Sequence, residues 1–191
     1  MDRKLKRWEL ALLFGVLCIL AAGSWLGEEQ QELADSVIRF HVIANSDSRE
    51  DQALKLAVRD RVLEQAQAVY PENATLPQAR AALEGALDQL AQAGQAVVEE
   101  QGYDYQVTAR MEQCWFPTKE YDGFALPAGE YTALRVVIGE GQGQNWWCVA
   151  FPPLCLGAAG ETVDTTAQAG YFTPEQVSLV TEENTGYVLK F

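Results

Sequence analysis

Apolar and polar positions follow three kinds of pattern along this chain. Residues 10–27 (LALLFGVLCILAAGSWLG) form a run with no charged side chain. As a helix this run spans roughly 27 Å, near the lower limit for crossing a bilayer. Residues 37–44 (VIRFHVIA) are β-branched and aromatic and read as a buried strand. Ile38, Phe40, Val42 and Ala44 share one face of it; Arg39 and His41 share the other with Val37 and Ile43. Asn45-Ser46-Asp47-Ser48 stops the strand, and Ser48 with Asp51 predicts an N-cap box. Leu54, Val58, Val62, Ala66 and Val69 then recur at helical spacing, up to Pro71. A second capping box, Thr75 with Gln78, has Pro77 in its first turn, where proline is tolerated. Leu83, Leu87, Leu90, Gly94 and Val97 extend that helix to a stop at Gly102.

The third pattern is alternation with period two. Tyr105, Val107, Ala109 and Met111 face one way and Gln106, Thr108, Arg110 and Glu112 the other, which predicts a half-exposed strand. Residues 131–138 and 145–151 read as two more, and the Gly-rich link 139–144 suits a hairpin between them. The expected fold is α+β: two helices on one face of a mostly antiparallel sheet, in the order β-α-α-β-β-β, after an N-terminal helix. The segments are 1–27 (signal peptide or single anchor), 28–35 (linker), 36–156 (folded domain) and 157–191 (loop-rich tail). Residues 186–191 are a possible last strand of that tail.

Charge separates the first segment from the rest. Residues 1–27 carry four basic and two acidic side chains, and residues 28–191 carry 10 basic and 25 acidic, a balance of -15. So acidic a body does not neutralise a phosphate backbone, which argues against nucleic acid as a partner. Nor does it adhere by charge to anionic lipid. A hydrophobic content of 48% excludes intrinsic disorder. Basic residues before the apolar run, small residues Ala21 to Ser24 within it and acidic residues after it describe an export segment. It is either removed or kept as a membrane anchor through residues 10–27. Both readings place the body outside the cytoplasm.

Three cysteines in the body, Cys114, Cys148 and Cys155, allow one internal bridge. Pro152-Pro153 bends the chain between Cys148 and Cys155, leaving an oxidised loop or two buried thiols as the alternatives. With His41 the only histidine and no CxxC pair, no metal site is expected. Catalytic residues, cofactor and small-molecule substrate are likewise not expected. The acidic set Asp47, Glu50 and Asp51 sits where a helix N-terminus favours negative charge. Gly139 to Gly143 lacks the Lys-Ser/Thr of a phosphate cradle and precedes a strand. Two stretches exceed what a core needs, Trp115 to Tyr121 and Asn145 to Cys155. Trp146 and Trp147 point to opposite faces of their strand, so one of them is expected to be exposed or covered by the Pro-Pro loop. An exposed tryptophan beside rigid prolines has the character of an interaction hot spot.

Four stretches together resemble the stage II sporulation protein R family. They are Ile43-Ala44-Asn45-Ser46-Asp47-Ser48 with Asp51-Gln52 and Leu54-Lys55; Phe116-Pro117-Thr118-Lys119; Pro127-Ala128-Gly129-Glu130-Tyr131; and Asn145-Trp146-Trp147-Cys148 through Phe151-Pro152-Pro153-Leu154-Cys155. The resemblance covers residues 36–156. It implies a signalling protein exported from the forespore into the space between two membranes. There it activates a membrane-embedded aspartic protease that processes the mother cell's sigma-factor precursor. Cys114 falls outside the family pattern, which supports pairing Cys148 with Cys155. The protein-binding residues expected on this basis are Asn45, Asp47, Pro117, Thr118, Asn145, Trp146 and Trp147. Two other classes compete: a cell-envelope hydrolase using Asp47 or Asp51 with a raised pKa, and a structural envelope protein.

Overall fold

The computed structural model describes residues 7–71, 73–121, 124–154 and 173, with the backbone alone for residues 21–29. The basic residues Arg3, Lys4 and Lys6, Cys155, and the expected loop and last strand after 156 lie outside the described residues. Helix α1 (Arg7–Asp35) leads into strand β1 (Ile38–Ile43). Residues 28–35, expected as a linker, are helical, and Leu33 and Ala34 are buried against the sheet. Among the described residues, no helix is long and apolar enough to cross a membrane.

Helix α2 (Arg49–Ala68) starts where expected, with Ser48 Oγ accepting the Asp51 N–H at 3.1 Å. Its stripe of Leu54, Val58, Val62 and Ala66 is fully buried. The second helical region differs from expectation. It is two helices, α3 (Leu76–Gly85) and α4 (Leu87–Glu100), broken at Ala86. Gly85 provides the weak point, because glycine inside a helix costs about 1 kcal/mol relative to alanine. The Thr75–Gln78 cap is present, with the Thr75 N–H donating to Gln78 Oε1 at 2.9 Å. Gly94 lets α4 approach closely, since a Cβ there would touch Val58, Val62 and Val107.

The remaining strands are β2 (Val107–Phe116), β3 (Lys119–Tyr121), β4 (Phe124–Leu126), β5 (Gly129–Ile138) and β6 (Asn145–Phe151). The main sheet has the order β2-β5-β1-β6, and β3 pairs with β4 in a separate hairpin that the sequence pattern did not reveal. The sheet is mixed rather than plainly antiparallel, because β1 runs parallel to β5. The expected β5–β6 hairpin does not form: β1 lies between the two strands, paired with both. The physical reason is burial. All six residues of β1 are buried, so it takes a central position that only ladder partners on both edges can satisfy. The link 139–144 must therefore step over the end of β1. One face of the sheet packs on the helices through Ile38, Phe40, Val42, Leu134 and Val136. The other face carries a second core, in which Leu33, Ala34 and Val37 meet Phe116, Phe124, Leu126, Tyr131 and Val149.

Candidate functional site

Two polar constructions sit on this frame. The first is a knot where the 139–144 link crosses the end of β1. Gly143 N–H donates to the Ala44 carbonyl (2.9 Å) and Gln142 N–H to the Asn45 carbonyl (3.1 Å). Asn45 Oδ1 accepts the Glu140 N–H (3.0 Å), and Asp47 Oδ1 accepts the Gln144 N–H (2.7 Å). Beneath them Asp51 Oδ2 accepts from Asn45 Nδ2 (2.9 Å) and Ser46 Oγ (2.5 Å). Lys55 Nζ donates to the Gln144 carbonyl (3.0 Å) and to Gln52 Oε1 (2.6 Å), while Gln52 Nε2 donates to the Ser46 carbonyl (2.9 Å). The glycines are steric requirements. Gly139 has φ +57°, and a Cβ on Gly143 would collide with the Ser46 carbonyl. Only half of the expected Ser48–Asp51 box forms, because the Asp51 carboxylate turns toward Asn45 and Ser46. Burial pushes the Asp51 pKa up, but hydrogen bonds from Ser46, Asn45 and Tyr105 outweigh it and hold the group below its ordinary value. This is the reverse of the raised acid that a hydrolase reading of Asp51 requires.

The second construction lies on the sheet face away from α2. Arg39 is 0% exposed. Its guanidinium sits 4.3 Å from the Phe116 ring centroid and 4.9 Å from that of Tyr131. Arg39 Nε donates to the Cys148 carbonyl (3.1 Å) and Nη2 to Tyr121 Oη (2.9 Å), and Nη1 has no partner. Burial lowers its pKa, partly offset by Tyr121 and Tyr131. Next along β1, His41 stacks on Trp147 with ring centroids 3.9 Å apart and a 13° interplanar angle. Neither ring nitrogen of His41 meets hydrogen-bond geometry, although the Asn145 side chain lies near it. Burial, helped by Arg135 and Arg39 and opposed by Asn145 and Glu112, lowers the His41 pKa to about 4.

A depressed pKa means that the unfolded chain binds a proton more readily than the folded one. The contribution of His41 to stability is complete above pH 6.5 and declines as pH falls toward about 4. We expect a loss of roughly 2 kcal/mol over that window once solvent screening is allowed for. Urea unfolding at about pH 7.5 and about pH 4.5 checks it, because His41→Phe should lose clearly less than the parent.

The expected binding residues do not form one patch. Asn45, Asp47 and Asn145 lie at the knot, with Asn145 level with Ile43. Pro117 and Thr118 follow Phe116, which is level with Gly129. On β5 those levels are 137 and 129, eight residues or about 26 Å apart. Thr118 has a local role, its Oγ1 accepting the Ala128 N–H at 3.2 Å. Trp146 and Trp147 do lie on opposite faces, but both are half-buried. Trp146 packs edge-on to Phe40 under the Arg59 guanidinium, 4.6 Å from its ring centroid. Trp115 is far more exposed than either, at 64%, beside a groove of about 380 Å³ lined by Gln30, Gln31, Ala34, Glu130 and Tyr131. Strand alternation places Trp115 opposite Cys114 and Phe116, which was the available signal for it. Cys18 and Cys114 are free thiols, and burial raises the Cys114 pKa. Cys148 is not a free thiol.

Fold and site together define a small α+β module with a mixed sheet, whose motif residues brace loops and strands. The sequence profile described as Stage II sporulation protein R matches residues 34–161. The chain is also 33% identical over 156 residues to the Stage II sporulation protein R of Bacillus subtilis (strain 168), covering 74% of this chain and 70% of that protein. No solved structure matches. The chain belongs to the stage II sporulation protein R family.

Proposed function

We propose that this protein is an exported sporulation signal that activates a membrane-embedded aspartic protease in the opposing membrane. That activation triggers processing of the mother-cell sigma-factor precursor. Family membership is the observation that carries the reading. The first half of α1 supports it: Trp8, Leu12, Leu13, Phe14, Leu17, Ile19 and Leu20 are exposed, with no protein partner for an apolar surface of that extent. In this reading the segment inserts in a membrane during export, and the acidic body acts in the intermembrane space without catalysing a reaction itself. A Cys148–Cys155 bridge, suited to an oxidising compartment, closes the loop after β6. The knot holds the start of β6, and with it Asn145, Trp146 and Trp147, in position to meet the protease.

Reconstitution tests this reading. The full chain, added to vesicles containing the protease and its precursor substrate, is expected to start precursor cleavage. Absence of cleavage with folded protein present would reject it. In sporulating cells, Trp146→Ala should reduce processing at an unchanged protein level, because it strips the aromatic surface beside Arg59 without touching the Trp147–His41 stack.

A further inference from the structure

The second face of the sheet is only half covered. The end nearest Tyr131 packs with α1 and the β3–β4 hairpin, but among the described residues no element covers the end nearest the knot, where Arg110 is exposed. One row of side chains crosses that open end in register: Arg110 opposite Arg135, Arg135 beside His41, and His41 opposite Trp147. Like charges directly opposite on paired strands are unfavourable, so the Arg110–Arg135 pair costs stability unless something neutralises it. Glu112 does so in part, pairing with Arg135 Nη1 at 2.7 Å. Arg110 is exposed and has no ion pair among the described residues. Among the described residues, Arg135 Nε, both His41 nitrogens and Arg39 Nη1 are buried with no partner at hydrogen-bond geometry. Thr108, Arg110, Glu112, Arg135 and Val137 line a concavity of about 250 Å³ over this row. Its lining carries Arg110 and Arg135 against Glu112, a balance of 2 − 1 = +1, on a body with 10 basic and 25 acidic residues.

We propose that this open end of the sheet docks an acidic segment of a partner protein, with Arg110 and Arg135 taking its carboxylates. Guanidinium forks suit bidentate carboxylate binding, and the half-buried setting strengthens each contact relative to open water. The volume accommodates one or two carboxylate side chains. The opposed arginines are then a docking device: the partner supplies the negative charge that the sheet lacks. The inference rests on the reading above, in which the partner is the protease's extracytoplasmic face.

Two experiments separate the inference from that reading. In the first, a fluorescent Glu/Ser-rich peptide is titrated onto the full chain. Binding is expected, weakening with added salt and dropping by about tenfold or more in Arg110→Glu. A matching Lys/Ser peptide should bind more weakly. In the second, Arg110→Glu and Arg110→Ala are compared with the parent for protease activation. Arg110 is exposed, so these variants should unfold at the parent's urea midpoint, and activation is expected to fall about tenfold in Arg110→Glu. If the parent activates and both variants match it, the docking surface is wrong while the function stands. If the parent fails to activate, the function is wrong and the peptide titration alone decides the surface. Preference for the Lys/Ser peptide overturns the inference. So does displacement of the Glu/Ser peptide by inorganic phosphate or anionic vesicles, or a dimer that Arg110→Glu dissociates.

Discussion

Arg39→Ala is expected to destabilise the protein by about 3–5 kcal/mol, whereas Arg39→Met should stay within about 1 kcal/mol of the parent. The alanine removes a large, fully buried side chain from between Phe116 and Tyr131, together with its hydrogen bonds to the Cys148 carbonyl and the Tyr121 hydroxyl. The methionine refills the volume and removes a charge that has no carboxylate partner among the described residues. Two aromatic faces and two neutral acceptors repay only part of the desolvation of a guanidinium. Chemical unfolding of the three proteins measures the difference directly. Equal destabilisation by both substitutions would mean that the charge itself, and not the packed volume, holds the second core together.

Asp51→Ala is expected to cost about 3 kcal/mol, and Asp51→Asn about 1 kcal/mol. The alanine leaves half-buried donors on Asn45 and Ser46 without this acceptor, while the amide keeps one acceptor oxygen and loses only the charge assistance. Damage should be local first. The Gln142, Gly143 and Gln144 amides, whose acceptors belong to the β1–α2 turn, should lose hydrogen-exchange protection before the centre of the sheet does. Acid separates this carboxylate from His41. The Asp51 pKa lies below its ordinary value, so its contribution persists through the pH window in which that of His41 declines and is lost only at lower pH.

Asp51 also shows what the family motif encodes. The sequence reads Asp47 and Asp51 as acids at a helix N-terminus, Asn45 and Asp47 also as contact residues, and Ser46, Gln52 and Lys55 as parts of the family motif. In the fold they tie a crossing loop to the strand it must step over. That role was not legible in the sequence, because it depends on β1 lying between β5 and β6. A Gly-rich link of six residues fits a hairpin and a crossing equally well by length. The split of Trp146 and Trp147 between two faces was legible, because it follows from the pleat alone. What covers each of them was not: Arg59 comes from a helix and His41 from a central strand.

Local periodicity and capping chemistry determined the starts of α2 and α3, the strands β1, β2, β5 and β6, and the division between a basic, apolar N-terminus and an acidic body. Each of these depends on neighbours within a few positions. Tertiary structure alone decided the parallel β1–β5 pairing, the burial of Arg39 without a counter-carboxylate, and the in-register row of Arg110, Arg135, His41 and Trp147. Strand order and register are long-range choices, settled by which strand can bury both faces and both edges at once. The charge pattern of this protein is therefore acidic along the chain and cationic at one place on its sheet, because registration gathers arginines from two strands more than twenty positions apart.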